Sequence, residues 1–173
     1  MDLVELIESR RFLGSEFLVW LWYRCDNGEA RFEIPDFETV TLEFDDQLVL
    51  EGFLAESEQS RLKGGAPSHS PEAQAALKAG KRPSRAKLRL LQGDREWVFS
   101  VNAHDFAFSS VKVPAVLKEE DERILERVSL VDELCDMWDG LYKLFLERRL
   151  GEQWPETVER MSAWITEGLA AHS

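Results

Sequence analysis

The spacing of apolar residues changes twice along the chain. Residues 2–9 and 15–24 read as helices, and the second contains an unbroken apolar run from Phe17 to Tyr23. Ser15 can cap this helix, with Glu16 favourable at its positive end. A continuous apolar run has no period of its own, so a strand over 17–23 stays open. A helix that is apolar all round must be covered on several sides. The segment is therefore expected to brace a sheet from inside, with Trp20 and Trp22 as core fillers.

After the turn Asp26-Asn27-Gly28 the period becomes two. Phe32 and Ile34 flank Glu33, while Val40, Leu42 and Phe44 alternate with Thr41 and Glu43. Asp45-Asp46 reads as a break before another strand, Gln47 to Glu51, and the set predicts antiparallel pairing with one polar face. The Gly-, Ser- and Pro-rich stretch 60–74 is expected to be flexible. A short helix, Pro71 to Ala79, is capped by Ser70 and closed by Gly80. A hairpin follows, with strands on either side of Gln92-Gly93-Asp94-Arg95, and then a strand from Phe106 to Val113.

Beyond Pro114 the period is helical. Ile124, Val128, Val131, Cys135, Trp138, Tyr142 and Phe145 form a stripe, which Trp154, Val158, Met161 and Ile165 continue after Gly151. The stripe lacks the leucines of a zipper, so a helical hairpin packed on the sheet is preferred to an intermolecular coiled coil. The fold class expected is α+β. Residues 1–114 form a mixed helix and antiparallel-sheet region, and 115–173 form the helical hairpin.

Composition sharpens this in three ways. The chain has 173 residues, 44% hydrophobic, which is enough for a proper core. Seven apolar residues are too few to span a bilayer, and Met1-Asp2-Leu3-Val4-Glu5 has no basic n-region, so a cytoplasmic chain with no membrane association is expected. Cys25 and Cys135 then read as reduced, buried thiols.

No Walker loop, GxGxxG, GxSxG or HExxH occurs. His104-Asp105 lacks further ligands at metal spacing and reads as an ordinary turn. No enzyme activity, cofactor or metal is assigned.

The net charge is −12, but it is unevenly spread. Between Arg61 and Arg89 stand eight basic residues and one acid, Glu72, a local charge of +7 against −19 for the rest. On the strand from Ser84 to Leu91, Arg85, Lys87 and Arg89 should point to one side and Ala86, Leu88 and Leu90 to the other. The three cations then stand about 7 Å apart, with Lys78, Lys81 and Arg82 just before them. Such a row suits a phosphate backbone. It could equally balance the protein's own acidic surface.

The stretch from Ser70 to Val101 resembles the C-terminal half of the recombination-associated RdgC family. The likeness is carried by Gly80-Lys81 ending a short helix, the strand Lys87-Leu88-Arg89-Leu90, Arg95 after the turn, and the aromatic strand with Trp97 and Phe99. It runs in order from about residue 17 to 147. The resemblance implies a bacterial, nucleoid-associated protein that holds duplex DNA with little sequence preference and modulates recombination. It also implies that Lys81, Arg85, Lys87 and Arg89 face DNA.

Together with the residue reading, the expected DNA-binding set is Lys78, Lys81, Arg82, Arg85, Lys87, Arg89 and Arg95. Half of a ring family's length would need a homo-oligomer to encircle DNA. The surfaces available are Phe17–Tyr23 and the helix over 119–149. Two other readings remain: an acidic interaction module that uses the C-terminal helices without binding DNA, and an enzyme with a hidden carboxylate site.

Overall fold

The computed structural model describes residues 11–52, 59–116 and 119–167. The helix expected over 2–9 lies outside them. The apolar run lies in helix α1 (Arg11–Asp26), which settles helix against strand. Phe17 through Trp22 are all buried. Phe17 meets Trp138 and Phe145 at ring-centroid distances of 5.1 and 5.3 Å. Trp22 meets Phe44 and Trp164, and its indole N–H donates to the Ser68 carbonyl at 3.1 Å. Trp20 and Trp22 are core fillers, and Phe17–Trp22 cannot serve as an oligomer surface. Gly14 permits this depth: a β-carbon there would lie 1.8 Å from the Ala103 carbonyl oxygen.

Six antiparallel strands form the sheet: β1 (Arg31–Phe32), β2 (Val40–Glu51), β3 (Ser60–Lys63), β4 (Arg82–Gln92), β5 (Arg95–Asn102) and β6 (Phe108–Lys112). The order is β1-β2-β4-β5-β6, and β3 pairs with β2 on the same edge as β1. The fold is α+β, as expected.

Two local expectations fail. Asp45-Asp46 does not divide two strands. The register passes from Phe44↔Leu88 to Leu48↔Ala86, so β2 carries two extra residues as a bulge. An even insertion preserves the alternation, and Leu42 and Leu48 both stay inward. The stretch 60–74 is not wholly irregular either: Ser60–Lys63 is β3, and Pro67–His69 is a 3-10 turn.

Helix α2 (Pro71–Lys78) has the expected cap, Ser70 Oγ accepting from the Ala73 N–H at 3.1 Å. Gly93, at φ +61°, turns the β4–β5 hairpin. Strand β6 starts later than expected, after Phe106 at φ +57°.

Helix α3 (Glu120–Leu150) packs on the same sheet face as α1, with Trp138 against Phe99 and Phe108, and α4 (Trp154–Glu167) lies against α1, α2 and α3. The buried residues of α3 are Leu130, Leu134, Met137, Trp138, Leu141 and Phe145. The inward stripe is thus rotated by about one residue from the expected one. Ile124, Val128 and Val131 are 73%, 54% and 37% exposed.

Two contacts fix this rotation. The Trp97 indole donates to the Leu130 carbonyl at 3.0 Å. Gly140 meets Ile34 so closely that a β-carbon would lie 2.3 Å from its Cγ2. Before Leu130 no described residue of α3 is buried. On α4, Trp154, Met161 and Trp164 are buried, whereas Val158 is exposed. Among the described residues no helix is long and apolar enough to cross a membrane. Both cysteines are free thiols, each partly rather than fully buried.

Candidate nucleic-acid interface

One sheet face carries the core, formed by Leu42, Leu48, Leu88, Leu90, Trp97 and Phe99. The other face bears Thr41, Glu43, Arg85, Lys87, Arg89, Glu96 and Val98, all exposed or partly so. Among the described residues no helix covers it. Strict alternation on β4 places Arg85, Lys87 and Arg89 here, because Ala86, Leu88 and Leu90 are buried opposite.

The three cations of the row differ in their partners. Lys87 Nζ lies 2.9 Å from Asp46 Oδ1 and 3.3 Å from Asp45 Oδ2. The β2 bulge brings both carboxylates to one ammonium. The hydrogen bond holds Asp46 below the usual carboxylate range and raises Lys87 above the usual lysine value. Arg89 lies 3.6 Å from Asp45 and 3.0 Å from Glu96; the latter is an ion pair outside hydrogen-bond geometry. Arg85 instead donates to Ser109 Oγ at 2.9 Å and has no carboxylate within ion-pair distance among the described residues.

The other expected cations are dispersed. Arg95 turns to the helix side, reaching Glu133 at 2.7 Å with its guanidinium over the Trp97 ring. It clamps the hairpin to α3. Arg82 leaves the outward row and donates to the Leu77 and Lys81 carbonyls. It borders an apolar groove with Val19, Trp154 and Met161, and burial lowers its pKa. Lys81 donates to Ser60 Oγ at 2.8 Å, and Lys78 lies exposed in the last turn of α2.

Two cations that sequence reasoning left out of the site join the face instead. The register pairs Arg61 with Val49, Val49 with Arg85, and Arg85 with Asn102. These four form one transverse row across β3, β2, β4 and β5. Lys63 stands opposite Gln47, one step along. Arg61, Lys63 and Arg85 border a polar cleft of about 420 Å³, with His104 and Glu51 at its rim. The alternation in Ser60-Arg61-Leu62-Lys63 was the available signal, obscured by the glycines that follow it.

His104 lies 3.7 Å from Glu51, and Asp105 accepts from the Ala107 N–H. Among the described residues no group of three or more potential metal ligands gathers. No protein-family model and no curated protein matches the chain.

Proposed function

We propose that this chain is a non-enzymatic, sequence-tolerant DNA-binding protein that holds the phosphate backbone against its open sheet face, as the RdgC family it resembles does. By occupying duplex DNA in the nucleoid it would modulate recombination. The observation that carries this reading is the gathering of Arg61, Lys63, Arg85, Lys87 and Arg89 on one face that no described helix covers. Flat strands present no helix to a groove, so the contacts go to phosphate charge rather than base edges.

Counterion release sets the test. If only Arg61, Lys63 and Arg85 engage, which have no carboxylate within ion-pair distance among the described residues, the slope of log K against log salt is about −3; if all five engage, it approaches −4.5. Anisotropy of a labelled duplex between about 50 and 200 mM salt measures this slope. Two duplexes of unrelated sequence should give the same value. No binding at the lowest salt would overturn the reading.

A second reading has its own observation. Ile124, Leu125, Val128 and Val131 lie on one face of α3, at 73%, 71%, 54% and 37% exposure. Exposed apolar residues scattered singly are ordinary, but a run along one helix face marks a contact surface. A second copy of this chain is the proposed occupant, since the resemblance implies an oligomer. Light scattering should give a dimer mass at high micromolar concentration and a monomer mass for Val128→Glu. A monomer mass for the unaltered chain would overturn it.

A further inference from the structure

We propose that the cleft between Arg61, Lys63 and Arg85 is a seat for one phosphate group, the fixed point at which a strand is anchored. The inference rests on the DNA-binding reading only for what carries that phosphate.

The geometry is built by the sheet. Arg61 and Arg85 flank Val49 on neighbouring strands, so their Cα atoms stand about 10 Å apart. Both guanidinium groups can reach over the short Val49 side chain, which leaves the floor between them low and apolar. Lys63 closes one side. Each arginine is steadied by a neutral acceptor: Arg61 Nε donates to Gln59 Oε1 at 2.9 Å, and Arg85 Nη2 to Ser109 Oγ at 2.9 Å. Of five N–H donors on each guanidinium, one is used in these bonds, and the remaining fork is the geometry that recognises phosphate oxygens.

The electrostatics favour an anion. Among the described residues three cations border the cleft against one carboxylate, Glu51, and that carboxylate is engaged by Gln59 and His104. His104 Nδ1 is buried with no hydrogen-bond partner among the described residues. The contrast with the same face a few residues away is direct. Lys87 and Arg89 hold three carboxylates between them, so a phosphate arriving there must displace an existing partner. At Arg61 and Arg85 the described partners that it displaces, Gln59 and Ser109, are neutral. The volume, about 420 Å³, accommodates a phosphate with its sugar.

The test uses two probes on the full chain. Inorganic phosphate at pH 7, followed by ¹H–¹⁵N NMR, should shift the arginine Nε–H signals of Arg61 and Arg85 and the amides of Asn102 and His104, and leave Lys87 and Arg89 unmoved. Duplex affinity should fall at least tenfold in Arg61→Gln/Arg85→Gln, with the salt slope flatter by about two. It should fall less than threefold in Lys87→Gln/Arg89→Gln.

Equal losses in the two pairs, or phosphate shifts spread evenly over the face, would overturn the seat and leave the DNA-binding reading standing. Localised phosphate shifts with no duplex binding would uphold the seat and overturn that reading. Unchanged melting temperature in both double variants separates these effects from misfolding.

Discussion

Truncating two residues of α3 tests which part of its apolar stripe the fold buries. Phe145 is fully buried, with ring centroids 5.3 Å from Phe17, 5.7 Å from Trp20 and 5.9 Å from Trp154. Phe145→Ala removes a ring from a shell of rings that cannot collapse around the gap, so the cost is about 3–5 kcal/mol. For a chain of this length each kcal/mol moves the melting temperature by about 2–4 °C, giving a drop of about 6–20 °C.

Ile124 belongs to the same stripe in sequence but is 73% exposed. Ile124→Ala loses little packing and gains helix propensity, so it should fall within about 0.5 kcal/mol of the parent. Urea unfolding followed by tryptophan fluorescence measures both. Low micromolar protein keeps any self-association out of the comparison. A loss above about 2 kcal/mol for Ile124→Ala would refute its exposure, and one below about 1 kcal/mol for Phe145→Ala would refute its burial.

Three further outcomes are expected. Gly14→Ala puts a methyl group against the Ala103 carbonyl and should cost at least about 3 kcal/mol or prevent folding, read as melting temperature and soluble yield. Asp26 is buried, accepts from the Trp164 indole at 2.7 Å and lies 3.2 Å from His69 Nδ1; Asp26→Ala should cost about 1–3 kcal/mol and Asp26→Asn less, and equal losses would show that the acceptor is irrelevant. Burial pushes the Cys25 thiol up to about 12, which disfavours thiolate, so a disulfide reagent at about pH 8 should label it only on unfolding; fast native labelling would contradict its placement.

The parts of the fold legible in sequence were those with an unambiguous local cause. Alternation fixed the hairpin, Ser70 and Pro71 fixed the start of α2, and the unbroken apolar run demanded cover on every side. The misread parts depend on partners distant in sequence. A helix with apolar residues on two adjacent faces can turn either towards a sheet, and distant partners such as Ile34 and Trp97 decide it for α3. Two adjacent aspartates look like a chain break until β4 supplies the register that makes them a bulge.

The candidate site divides in the same way. The outward row on β4 followed from parity alone. Which of its cations retain free charge did not, because the neutralising groups arrive from β2 and β5 and the additional arginine from β3.

The position of α1 has a consequence for synthesis. Its apolar side chains are synthesised more than 100 residues before three of the rings that cover them, Trp138, Phe145 and Trp164. Until those residues are made, a run including two tryptophans lacks part of its native shelter. Nascent chains stalled before residue 138 should therefore bind chaperones through Phe17–Tyr23 and aggregate when released. The folding of the whole protein is thereby tied to completion of its C-terminal helices.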